Sequence, residues 1–337
     1  MSPLKPRHAH AAETHHPFFH DRVSPHQELI NGLRRRGLSI PRIVELLHPK
    51  PDAGHENIRI EFPGFEFWMD QFGVRKSHDM RATLNLALHQ YEQARHDYLK
   101  DIQKHLLRLK HFRTARAVLD EIRTRHHFVL INPYRPWDED DHNASAEPFH
   151  RADAAPLGMT VLDSDGDETF VGDTPVIGTG KGSNVRVWYT PAMWADRSRG
   201  PASAPDEVLL HELIHASRQV SGVSRRRSVR KYDNEEEFIG IMIDNIYLSE
   251  KNQRVFRGTH ESDDDGNHDI LRNPRRFLDN SQHLNIPPYR AIELLRMRQP
   301  KLYVALAAIG PGPGPGHANF NPIRDWEKQR NNVLIDL

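Results

Sequence analysis

The sequence contains no cysteine, which excludes disulfides, thiolate nucleophiles and cysteine-ligated zinc together. Any metal must therefore be held by histidine and carboxylate groups. Neither charge is in excess: 46 Lys and Arg stand against 46 Asp and Glu. No overall field draws such a chain to nucleic acid or to an anionic membrane, so neither is expected as a partner. No apolar run approaches the roughly 18 residues a membrane helix needs, so no membrane span is expected. The opening MSPLKPRHAHAAETHH lacks the apolar core of a Sec signal peptide, and the expectation is a cytoplasmic protein in the producing cell. With 37% hydrophobic and 27% charged residues, the composition reads as soluble with polar extensions.

Histidine, in contrast, is plentiful, at 23 of 337 residues. Two of these stand in Asp206–Gly222, DEVLLHELIHASRQVSG. His211 and His215 are four apart, which puts both imidazoles on one face of a helix and within reach of a single ion. Glu212, one residue after the first, is placed to act on a water beside that ion without ligating it. Val208, Leu209, Leu210, Leu213, Ile214 and Ala216 surround the trio. That pattern describes a helix buried on several sides, where polar side chains are costly unless they are used.

A catalytic zinc ion takes three protein ligands and leaves a position open. The metzincin continuation is absent, because Arg218 and Ser221 stand where its glycine and histidine belong. A glutamate on a second helix is the other solution, and residues 234–250, NEEEFIGIMIDNIYLSE, provide it. Gly240 lies three residues after Glu237 and four after Glu236, so both share its face, and a mid-helix glycine suggests close helix contact. Glu237 is preferred as the third ligand, with Glu236 as the alternative. Asp244 or Asn245 is a candidate to orient a ligand imidazole. Tyr232 and His260 are candidates to stabilise an oxyanion.

Along the chain, residues 1–28 read as disordered. A helix is expected from Gln27 to Leu47, and a β-hairpin at Ile58–Asp70 around Pro63-Gly64. Ser77 to about Arg125 reads as one helix, or two with a break near His111–Thr114. Phe128–Asn132 is a buried strand, and Pro133–Leu157 a loop. A small sheet follows from Met159–Leu162, a turn at Asp163–Asp167, Thr169–Val171 and Val185–Thr190. Val185–Tyr189 is expected to offer an edge to an extended substrate. Arg225–Arg227 with Arg230 and Lys231 form a basic loop, and 261–268 an acidic one. Pro287–Ile309 reads as a helix or pair broken near Pro300, and Gly310–Gly316 as a linker. The expected divisions are 1–28, a helical region 29–126, a catalytic domain 127–309, and a linker and tail 310–337.

The segments TGKGSNVRVWYTP, PDEVLLHELIHASRQVSG and NEEEFIGIMIDNIYLSE together resemble the NleD-like zinc metallopeptidase effectors and related toxin domains. The resemblance spans roughly residues 115–260. It implies an α+β, gluzincin-like (zincin-like) fold, mostly helical, with a small antiparallel or mixed sheet packed on the His-Glu-x-x-His helix. It also implies one catalytic zinc ion on His211 and His215, Glu212 as general base, and Glu237 as a further ligand. The implied activity is cleavage of a protein or peptide substrate after delivery from a bacterium into a target cell. Two other functions fit the residues: an interaction protein with structural zinc, and a zinc hydrolase of a non-peptide bond.

Overall fold

The computed structural model describes residues 25–48, 50–71, 80–134, 144–160, 170–171, 174–175, 177–194, 201–226, 232–262, 268–271, 277, 288–311 and 319–335. Most of the segment read as disordered lies outside these residues, as do the Asp163–Asp167 turn and most of the basic loop, the acidic loop and the Gly/Pro linker.

The described chain opens with helices α1 (Pro25–Arg35) and α2 (Ile40–Leu47). α1 thus begins inside the segment read as disordered, and the single helix expected up to Leu47 is two. Ser39 divides them, its side chain capping the Arg42 amide at the start of α2, where Pro41 is tolerated in the first turn. Next come strands β1 (Asp52–His55) and β2 (Ile58–Ile60), paired antiparallel. The hairpin therefore turns at Glu56-Asn57, not at Pro63-Gly64, and Phe65–Gln71 is helix α3. The alternation misled because Phe65, Trp68 and Met69 are all buried, a spacing of three and four that suits a helix face. Gly64 permits this packing: a Cβ there would meet the Leu47 carbonyl oxygen at 2.0 Å.

The long helical pattern resolves into α4 (Met80–Leu109) and α5 (Arg113–Arg123), broken where expected. Then follow β3 (Val129–Asn132), β4 (Ser145–Pro148), the short α6 (Arg151–Ala154), the pair β5 (Phe170–Val171) and β6 (Thr174–Pro175), and β7 (Val185–Trp188). β4 and α6 occupy a stretch read as loop. β4 has only four residues, one of them Pro148, and its strand geometry comes from pairing with β7. Helices α7 (Pro205–Val220) and α8 (Glu235–Glu250), strands β8 (Phe256–Ser262) and β9 (His268–Leu271), and helices Pro288–Arg298, Pro300–Ala307 and Pro322–Ile335 complete the order.

The main sheet runs β1-β2-β3-β7-β4 and is mixed. β2 pairs parallel with β3, and β3 parallel with β7, whereas β4 closes the far edge antiparallel to β7. Val185–Trp188 is therefore an interior strand. The expected substrate edge at Val185–Tyr189 is corrected: β4 covers it, and β4 itself is the edge.

α7 crosses this sheet against β7 and β4, with α4, α5 and α8 also packed on it. Every residue from Asp206 to Val220 is buried. Leu209, Leu210, Leu213 and Ile214 are wholly buried, each worth ~2 kcal/mol in transfer free energy. One hydrophobic core runs from Leu29 to Ile323, so the outermost helices pack into the same interior as α7. The architecture is α+β, and no helix among the described residues is long and apolar enough to cross a membrane.

Candidate metal centre

The local sequence sets the first part of the site. On α7, i and i+4 spacing brings the His211 and His215 rings to 4.6 Å between centroids, at right angles, with Nε2 atoms 3.0 Å apart. α8 supplies the carboxylate. Its cap, Asn234, accepts from the amides of Glu236 and Glu237, which fixes the first turn and the direction of each glutamate. Glu237 Oε2 lies 3.0 Å from His211 Nε2 and 3.3 Å from His215 Nε2. The two helices approach this closely because residue 240 has no side chain. A Cβ on Gly240 would stand 2.9 Å from His211 Cε1 and 3.3 Å from His215 Cε1.

Glu236, the alternative ligand, points elsewhere. Its carboxylate accepts two hydrogen bonds from Arg218, at 2.6 and 2.8 Å, and one from the Arg225 amide at 2.5 Å. Glu235 pairs with Arg225 at 2.9 Å. Three adjacent glutamates thus have different partners, set by the 100° step of the helix.

Behind the ligating face, Asp244 Oδ2 stands 2.6 Å from His211 Nδ1. Asn245 faces away and grips β8 instead, bonding both the amide and the carbonyl of Arg257. Tyr232 is fully buried, with its ring packed on Phe238 and Phe277. His260 enters the site from β8: Nε2 lies 3.4 Å from Glu237 Oε2, and Nδ1 pairs with Asp233.

The electrostatics call for a cation. With its Nδ1 proton given to Asp244, His211 aims a lone pair at a carboxylate oxygen and at a second imidazole nitrogen. Acceptors this close repel unless a proton or a metal ion lies among them. Burial disfavours a charged His211, yet Asp244 and Glu237 override it and push its pKa up to about 10. Burial also opposes ionisation of Glu237, but His215 and His211 hold its carboxyl well below the usual range.

The donors also fit an ion geometrically. Ligands held tetrahedrally at about 2.0–2.1 Å lie about 3.3 Å apart, close to the separations here. His211, Glu237 and His260 also offer one donor atom each, all within 4.8 Å of one another.

Glu212 is buried, and burial raises its pKa while both histidines lower it. Among the described residues nothing hydrogen-bonds its carboxylate. Arg257 is a residue that pattern reading missed. Burial lowers its guanidinium, whereas the carboxylates of Asp244, Glu237, Glu212 and Asp233 raise it. Its only signal in the sequence is proximity to His260 in RGTH. Asp233 was missed too, because nothing in the sequence links it to a histidine 27 positions away.

No curated protein and no solved structure matches this sequence. A family model, Peptidase_M91, described as an effector protein, matches residues 87–281. The match covers more than half of the chain and takes in most of α4, all of α5, the sheet strands β3, β4 and β7, and both helices of the site. The chain therefore belongs to the Peptidase_M91 family of effector proteins.

Proposed function

We propose that this effector is a zinc-dependent endopeptidase, with His211, His215 and Glu237 holding the ion and Glu212 serving as general base. The observation that carries the reading is the convergence of three donor atoms at 3.0, 3.0 and 3.3 Å beside a buried glutamate. We read the arrangement of α7 against the mixed sheet as zincin-like. A bound zinc ion supplies Lewis-acid chemistry, making a water more acidic and balancing charge on a carbonyl oxygen.

The remaining work belongs to the chain. Glu212 takes the proton of the attacking water as the new C–O bond forms, then passes it to the departing amide nitrogen as the C–N bond breaks. Its dry surroundings keep its proton affinity above that of a solvated glutamate, which suits both halves of that transfer. Asp244 holds the His211 ring so that Nε2 faces the reacting centre. β4 lies at the sheet edge beside α7 and is tied to it by Gln219, which donates to the Ala146 carbonyl at 2.9 Å.

As an effector, the protein acts after delivery from the producing cell by a specialised secretion system. The test is a search for new protein termini in target-cell lysate treated with wild type or with Glu212→Ala. Wild type is expected to generate termini that the variant does not, with both proteins retaining one zinc per chain. Termini that persist with the variant, or with wild type after complete metal removal, would overturn the reading.

A further inference from the structure

Two histidines of the site carry a carboxylate on Nδ1. His211 has Asp244, and His260 on β8 has Asp233. A metal-ligating imidazole typically meets a carboxylate in this way, through the ring nitrogen that does not touch the ion. The second of these pairs is built against local preference. Asp233 has φ +54, a left-handed backbone that a non-glycine residue adopts at a cost. Helix capping does not require it, because the next residue, Asn234, is the cap of α8. His260 lies within the stretch of β8 between Arg257 and Ser262, where the register with β9 shifts, and irregular ladders of this kind re-aim side chains. Two hydrogen bonds between Asn245 and Arg257 tie the start of that stretch to α8.

The other ring nitrogen faces the site. His260 Nε2 lies 3.4 Å from Glu237 Oε2, longer than the roughly 2.7–3.2 Å of an N–H···O hydrogen bond. It is close to the separation of about 3.3 Å between two ligands on one zinc ion. His215 Nε2 stands at much the same distance from that oxygen, 3.3 Å. One donor atom each from His211, Glu237 and His260 also falls within 4.8 Å of the others. We propose that His260 is a further ligand of the ion, bound through Nε2, and that Asp233 is the residue that positions it.

The inference rests on the zinc endopeptidase reading and adds to its ligand set of His211, His215 and Glu237. One neutral tautomer of His260 satisfies both contacts: its single ring proton, on Nδ1, faces Asp233, and the lone pair on Nε2 faces the ion. The ion is then held from three elements, α7, α8 and β8, and not from the helix pair alone. His211 and His215 are 8% and 7% exposed, whereas the His260 side chain is 32% exposed, so the added ligand stands at the solvent side of the site. Catalytic zinc expands to five ligands in the transition state. A fourth protein donor therefore leaves a place for the water on which Glu212 acts.

The experiment compares full-length wild type with His260→Gln and Asp233→Gly. X-ray absorption at the zinc edge counts the imidazoles on the ion, and chelator competition reads zinc affinity. The expected result is three imidazoles on the wild-type ion and two in His260→Gln, with affinity in that variant lower by about 100-fold. Glycine adopts a left-handed backbone freely, so Asp233→Gly removes the carboxylate and spares the turn. It should weaken zinc binding about tenfold, while the metal-free protein melts as wild type does. Two imidazoles on the wild-type ion would overturn the ligand assignment without recourse to any variant. Affinity in folded His260→Gln within about threefold of wild type would do the same. Unaltered affinity in Asp233→Gly would overturn the positioning role. Failure of the underlying peptidase reading looks different: Glu212→Ala would go on cleaving while the wild-type ion still showed three imidazoles.

Discussion

Asp244 on α8 holds His211 on α7 through an Oδ2–Nδ1 contact of 2.6 Å. One carboxylate thereby leaves Nε2 of that imidazole facing Glu237 and His215. Asp244→Ala is expected to weaken zinc binding about 10–100-fold with the ligands themselves unchanged. Chelator competition measures this, and unaltered affinity would remove Asp244 from that role.

Glu236 and Glu237 separate in the same way. Glu236 is committed to Arg218 in a buried, two-pronged pair, and Arg218 also donates to Gln299 and the Val223 carbonyl. Breaking a buried pair of this kind costs about 3–5 kcal/mol. Glu236→Gln should therefore lower Tm by many degrees while the folded fraction still binds one zinc. Glu237→Gln should do the reverse, losing zinc with a smaller change in the stability of the metal-free protein. Thermal melts paired with zinc titration distinguish the two. Loss of zinc from the folded Glu236 variant would contradict the assignment.

Gly240→Ala sets a local gain against a contact. Alanine favours a helix over glycine by about 1 kcal/mol. Its Cβ, however, would meet His211 Cε1 at 2.9 Å, so the ring or the helix must shift. The expected outcome is weaker zinc binding together with reduced peptide cleavage, read by metal titration and by the library assay. A stabilised variant with full zinc affinity would show that the helices can separate without harm.

The start of α7 predicts a pH effect. Asp206 is almost wholly buried and accepts from Tyr247 at 2.7 Å and Lys251 at 2.9 Å. Burial raises its pKa, but those two partners outweigh it and leave the folded value below the ordinary 3.8. A depressed carboxyl contributes stability above its unfolded pKa and loses it as pH falls through the folded one. Asp206→Asn should therefore cost most near neutral pH, about 3 kcal/mol for a broken buried pair. The gap to wild type should narrow below about pH 4. Urea unfolding at a series of pH values checks it, and a gap that widens on acidification would refute the linkage.

The sequence by itself determined what depends on short spacing. Two histidines four apart must share a helix face, apolar flanks must bury that helix, and the His111–Thr114 break must split α4 from α5. Gly240 also carried usable information, since a glycine inside an apolar helix implies a close neighbour. Spacing could not tell Glu236 from Glu237 alone, because both share a face with Gly240. Arg218, on another helix, receives one of them, and the histidine pair faces the other.

Long-range contacts decided the rest. Alternation at Ile58–Asp70 looked like a hairpin, but Gly64 seated on Leu47 turned its second half into a helix. β4 carries almost no strand signal and forms because β7 had an unpaired edge. It is that pairing which makes Val185–Trp188 an interior strand of the sheet. The Asp233–His260 pair joins a strained residue before α8 to an irregular strand after it. Such a pair exists only where folding has brought the two segments together, since its energy lies in a contact between side chains and not in the preference of either residue for its own backbone.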